Sequence, residues 1–256
     1  MSWASRRRTF YGFGTFLFLL VVIGGPVAYH FLTIPATCTD GKQNQGETAI
    51  DRGGPCPLLD PHALNPSSVM WARSFRVRDG VYNSVAYIQN PNDNAGVRSA
   101  PYRFSYYDAD NILIGERTGT TYLMPGTITP VFEGAVDTGQ RAVAHTQFEF
   151  TEPLTWERLQ NTADVIEIND REISGVDTAP RITASARNGS VKDMQNIGFV
   201  AVVFDPAGNA FTASQTVLPS LPGGGSAPIV FTWPDPFNIS LGSVDITPIS
   251  APIAPR

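Results

Sequence analysis

One segment constrains this chain before any other. From Phe10 to Leu32 the sequence FYGFGTFLFLLVVIGGPVAYHFL carries no Asp, Glu, Lys or Arg. A helix rises about 1.5 Å per residue, so about 20 apolar residues cross a hydrocarbon core of about 30 Å. The segment therefore predicts a transmembrane helix over 10–32. Arg6, Arg7 and Arg8 precede it, whereas Asp40, Lys42, Glu47, Asp51 and Arg52 follow it as a mixture of signs. The Lys/Arg bias of cytoplasmic flanks puts residues 1–9 inside the cell as a short stub and sends the C-terminal part across. The rival is a cleaved signal peptide, whose apolar region is shorter and ends in a small-x-small site. Pro35-Ala36-Thr37-Cys38 has some likeness to a lipoprotein signal, but Thr37 fits poorly before the cysteine. Gly24-Gly25-Pro26 predicts a kink within the span.

The exported part reads as all-β. The chain holds 23 Gly and 21 Pro among short Val/Ile/Phe/Tyr-rich runs, a composition suited to strands and turns. A net charge of −5, with only 16% charged residues, offers no basic surface to a phosphate backbone and argues against nucleic acid as a partner.

Cys38 and Cys56 are the two cysteines, and they bracket CTDGKQNQGETAIDRGGPC on the side where disulfides persist. A bridge is the expectation. Closing a loop of about 19 residues is worth roughly 3 kcal/mol in the chain-entropy picture, which matters to a piece with almost no apolar core. Asp40, Asn44, Glu47 and Asp51 set oxygen donors at short spacing, a set that Ca²⁺ accepts. The same residues also suit turn-making hydrogen bonds to their own backbone. The loop resembles a short cysteine repeat, C-x-D-G-x-Q-N, of secreted and surface proteins of bacteria and other microbes, with Arg52 where relatives often carry a further cysteine.

After a connection rich in proline (Pro55 to Pro66), an internal repeat appears with a period of about 97 residues. Val85–Asn90, Tyr102–Asn111, Pro125-Gly126 and Pro130–Phe132 recur in order as Ile182–Asn188, Val200–Asn209, Pro222-Gly223 and Pro228–Phe231. Each copy reads as a strand ending in Asn, a strand ending in aromatic-Asp, a tight turn, another strand, a Pro-Gly loop and a further strand. Alternation in Tyr102-Phe104-Tyr106 and Phe148-Phe150 turns one face inward. The expected organisation is a disulfide-closed stalk over 33–69, a first sandwich over 70–160, a linker near Leu159 to Asp164, a second sandwich over 165–250 and a tail over 251–256. Trp71, Phe75 and Trp156 mark the ends of the first sandwich, and Ile166 with a Trp233 to Ile246 strand those of the second.

At Phe104-Ser105-Tyr106-Tyr107-Asp108, and more loosely at Ala201-Val202-Val203-Phe204-Asp205, the copies resemble the bacterial FxLYD-type, immunoglobulin-like β-sandwich. That resemblance implies two tandem Ig-like antiparallel sandwiches and an extracytoplasmic interaction or structural role. It implies no activity.

No catalytic motif stands out. His30, His62 and His145 lie far apart, and no nucleophile elbow, zinc-protease helix or phosphate-binding loop is present. Glu116, Glu133, Asp137, Glu149, Glu152 and Glu157 read as solvated strand faces. Tyr82, Tyr87, Tyr106, Tyr107, Phe132 and Trp156 read as core or cross-strand residues before they read as a carbohydrate platform. Pro222-Gly223-Gly224-Gly225-Ser226 reads as a flexible hairpin. The function expected is a single-pass cell-membrane protein with no catalysis, displaying two modules to an unknown extracytoplasmic protein or envelope component. The alternative is an exported hydrolase or carbohydrate-binding protein with its site at the junction of the sandwiches.

Overall fold

A computed structural model describes residues 3–33 and 37–255. Met1, Ser2, residues 34–36 and Arg256 lie outside the described residues. With them go the first residues of the predicted stub, the start of the stalk with Pro35 and Ala36, and the last residue of the tail. The chain divides into two units, Met1–Cys56 and Pro57–Arg256.

The first unit opens with helix α1 (Trp3–Leu19), a π-helical turn (Leu20–Gly24) and helix α2 (Gly25–Thr33). Pro26 has no N–H, and its ring crowds the carbonyl one turn earlier. Widening the turn just ahead of it relieves that clash without breaking the helix. The expected kink is thus a wide turn in the backbone. Phe10–His30, 21 residues, is long and apolar enough to cross a membrane. Every side chain along it is exposed, with Gly24 alone partly covered. After the helix, Cys38 and Cys56 are joined with an S–S distance of 2.08 Å, closing the loop as expected.

The strands of the second unit pair antiparallel throughout, with two short 3-10 turns, Pro61–Ala63 and Ala163–Val165, among the loops. In the first sandwich β1 (Ser68–Arg78), β2 (Val81–Gln89) and β5 (Ile128–Asp137) form sheet I in the order β1-β2-β5. Sheet II, ordered β4-β3-β6, is built from β3 (Ala95–Tyr107), β4 (Leu113–Leu123) and β6 (His145–Phe150), with the short β7 (Glu157–Arg158) paired to β3. The second sandwich follows the same plan. Sheet III is ordered β8-β9-β12, from β8 (Ile166–Ser174), β9 (Arg181–Asn188) and β12 (Ser226–Thr232). Sheet IV is ordered β11-β10-β13, from β10 (Met194–Phe204), β11 (Ala210–Leu221) and β13 (Ser243–Ile249). Ile88, Phe104, Tyr106 and Leu123 fill the first core, and Ile182, Phe199, Leu221 and Phe231 the second.

A buried asparagine fastens each sandwich at the end where β2 and β9 leave their sheets. The Asn90 amide donates to the carbonyls of Ala95 at 2.7 Å and Met124 at 3.0 Å, while its oxygen accepts from the Asn92 N–H. Asn188 donates to Lys192 at 2.8 Å and Leu221 at 3.1 Å and accepts from the Ser190 N–H. Both are buried to within 1%. One amide thereby ties together two loops that cross between sheets. Asp108 and Asp205 repeat one another likewise, accepting the backbone N–H groups of Ile112 and Asn209 to close their turns.

Three sequence expectations need correction. Pro222–Ser226 is no hairpin, because β11 and β12 lie in different sheets. Gly224 N–H donates to Ser190 O and Gly223 N–H to Asp193, so the arch is pinned. The predicted strand from Trp233 begins only at Ser243, because two prolines in Trp233-Pro-Asp-Pro-Phe237 forbid a ladder there. Finally, residues from Pro57 onward belong to the second unit: Arg158 N–H donates to Pro57 O, Leu59 N–H to Trp156 O, and Leu59 and Leu64 pack on the first core.

Candidate functional site

The two sandwiches do not hang as separate beads. A third apolar cluster joins the outer face of sheet I (Phe75, Val85, Tyr87) to the outer face of sheet IV (Val200, Val202, Ala213). Trp71 stacks on Tyr87 with ring centroids 4.4 Å apart. Polar bonds set the alignment: Tyr87 Oη donates to Asp245 at 2.8 Å, Asn83 to Ala213 O at 3.1 Å and Arg73 to Ala210 O at 3.4 Å. Burial and the Asp245 carboxylate hold the Tyr87 phenol well above its ordinary range. Central strands β2 and β10 are consequently buried on both faces, which accounts for their unbroken apolar runs Val85–Ile88 and Phe199–Val203.

The disulfide loop uses its oxygens internally. Asp51 accepts the N–H groups of Asp40 and Gly41 at 3.0 Å each. Asp40 accepts from Lys42 N–H and the Asn44 amide, and the Lys42 N–H is the main cause that lowers its pKa. Glu47, buried at 7% exposure, accepts from Asn44 N–H and Asp51 N–H, both at 3.2 Å. Its second oxygen lies 3.1 Å from Cys56 Sγ. That sulfur is bridged and has no proton to donate, so the contact is one of packing. Asp40, Asn44, Glu47 and Asp51 do come together, in the arrangement of a fastened turn.

Among the expected acidic residues, Glu116 and Glu149 flank Arg103 on the outer face of sheet II. Glu133 accepts from Tyr102 Oη at 2.7 Å, and Glu157 pairs with Arg98. Asp137 accepts from Gly139 N–H. Apart from Glu116 and Glu149, which share Arg103, they occupy separate places. Tyr82, Tyr87, Tyr106 and Trp156 are buried, while Tyr107 stacks on His145 with centroids 4.7 Å apart. His62 lies against Asp60. Ser74, Ser84 and Thr146 form a hydroxyl chain, with Ser74 Oγ 2.8 Å from Ser84 Oγ and 2.6 Å from Thr146 Oγ1.

Clefts open where the sandwiches meet, and two of them are lined with aromatic residues. One, of about 250 Å³, lies at the loop end between Arg76 of β1 and the Trp233–Ile239 loop; Phe237 makes edge contacts to Trp233 at 5.2 Å and Phe211 at 5.4 Å. The other, of about 400 Å³, runs between β4 and β5 of the first sandwich and the outer face of sheet IV. Tyr122, Phe132, Asn196 and Gln215 line it, with Thr120 and Thr121. Of these only Phe132 was singled out in the sequence. Tyr122 and Gln215 sit at outward strand positions that no local pattern distinguishes.

No family model matches the chain, and no curated protein matches it. Among solved structures, red sea bream transglutaminase aligns at 8% identity and TM-score 0.26, over 76% of this chain and 32% of that one. This chain thus spans about a third of that enzyme's length. Procruciferin, an 11S globulin from Brassica napus, aligns at 9% identity and TM-score 0.12, over 75% of this chain and 87% of the globulin. Neither likeness carries a functional argument.

Proposed function

We propose that this is a single-pass cell-membrane protein that holds a rigid pair of β-sandwiches on the extracytoplasmic side, for interaction or scaffolding and without catalysis. The observation that supports this most is the N-terminal helix. It is apolar all round, and no protein surface covers Phe10–His30. Such a helix finds its apolar surroundings in lipid. Arg6, Arg7 and Arg8 favour a cytoplasmic N-terminus, and the Cys38–Cys56 bridge suits an oxidising compartment. The face-to-face cluster suits a module that presents its loops in a fixed relation. In the same reading both sandwiches are FxLYD-type, Ig-like units, supported by the matched Asp108 and Asp205 turns.

The test is protease accessibility. In intact cells stripped of outer barriers, added protease should remove residues 57–256 while an N-terminal epitope tag survives, and the chain should sediment with membranes. Recovery of a soluble chain whose N-terminus lies after the apolar helix would show a cleaved signal and sink the anchor.

A further inference from the structure

The groove between β4, β5 and sheet IV is lined by uncharged side chains. None of its lining residues is Asp, Glu, Lys or Arg. Tyr102, part of the lining, donates its hydroxyl to the neighbouring Glu133 carboxylate at 2.7 Å. Gly119 makes that bond feasible, since a Cβ there would sit 2.5 Å from Tyr102 Oη. The volume, about 400 Å³, falls within the range of small-ligand clefts.

The polar groups are amides and hydroxyls. Neither Asn196 nor Gln215 has a side-chain hydrogen-bond partner among the described residues. Asn196 stands at a positive φ of 52° across from Pro219, outside the ladder of β10 and β11. Such a backbone is uncommon for any residue but glycine, and asparagine tolerates it best. A primary amide both donates and accepts, as each sugar hydroxyl does. The Tyr122 ring, 36% exposed, together with Phe132 and Val217, supplies apolar surface of the kind that covers the C–H face of a pyranose.

We propose that this groove binds an uncharged oligosaccharide. A charged glycan or peptide would bring ions to a lining without Asp, Glu, Lys or Arg, where the adjacent carboxylate, Glu133, is already engaged by Tyr102 Oη and would repel an anion. Addition of a peptide strand is disfavoured at β5, the edge of sheet I, because Pro130 lines the groove there and proline blocks edge pairing. The proposal does not depend on how the chain is tethered.

The full-length chain in lipid nanodiscs can be titrated calorimetrically with cellohexaose, chitohexaose, xylohexaose and mannohexaose. Hexagalacturonate and an uncharged Ser/Gln/Val peptide serve as competitors of other classes. At least one neutral saccharide should bind, and Tyr122→Ala, Gln215→Ala and Val217→Glu should each weaken it about tenfold or more, a difference of about 1.4 kcal/mol. These side chains lie at the surface, so melting temperatures should match the parent. Failure of all four neutral saccharides to bind at millimolar concentration would overturn the proposal. So would binding that the three substitutions leave unchanged, or stronger binding of the galacturonate or the peptide.

Discussion

At the scale of single residues, Asn90 and Asn188 matter beyond their size. Each amide satisfies two carbonyls of loops that leave opposite sheets. Asn90→Ala or Asn188→Ala strands both acceptors in a buried corner, and should cost about 2 kcal/mol or more in urea-denaturation stability. Their place at a strand end was legible in the sequence; their clamp was not, because it joins atoms up to 34 positions apart. Two titrations give pH predictions of opposite sign. Asp205 is held below its ordinary range, chiefly by the Asn209 N–H. Its contribution is complete above the unfolded pKa of about 3.9 and is lost as pH falls through the lower folded value. Asp205→Asn should therefore flatten the acid limb of the melting-temperature profile. Burial pushes the Tyr106 phenol up to about 12. Its contribution is complete below about pH 10 and disappears as pH rises toward the folded value. Tyr106→Phe should soften the alkaline loss of stability between those two points.

At the scale of elements, the disulfide loop is more legible in the sequence than the arches. Two cysteines on an exported segment leave one pairing, so the bridge was legible. The role of its carboxylates was open in the sequence, because oxygen donors at short spacing serve a cation and a turn alike. Distances to Asp40, Gly41, Asn44 and Asp51 N–H groups show them fastening the turn. Replacing Cys38 and Cys56 by Ser should remove roughly 3 kcal/mol of local stability and open residues 39–55 to limited proteolysis. The Pro222–Ser226 arch has the sequence of a flexible hairpin, because Pro-Gly runs look alike whether strands return to one sheet or cross to another. At Gly223 a Cβ would meet the Val191 carbonyl at 2.4 Å. Gly223→Ala should thus destabilise by about 1–3 kcal/mol, seen as a lower denaturant midpoint.

At the scale of the molecule, the face-to-face contact of sheets I and IV decides how the second unit behaves. The strand plan of each sandwich could be read from repeated turns, whereas their docking could not. Its signal was present in Phe199-Val200-Ala201-Val202-Val203, where alternation fails, but a strand cannot say what covers its second face. Val202→Asp places an unpaired charge in that contact. In calorimetry the second unit should unfold in one transition in the parent and in two in the variant, at a cost of at least about 3 kcal/mol to the coupled state. The contact joins unlike faces, sheet I of one copy with sheet IV of the next. Head-to-tail joining of this kind ordinarily has no natural end. Here the face equivalent to sheet IV in the first copy carries Arg103 with Glu116 and Glu149, and the face equivalent to sheet I in the second carries Arg187 with Glu167. Both outer faces carry ion pairs where the docked faces are apolar, so a further copy of the unit fused at either end would meet no matching apolar face and should hang as a bead on a string and not extend a rod.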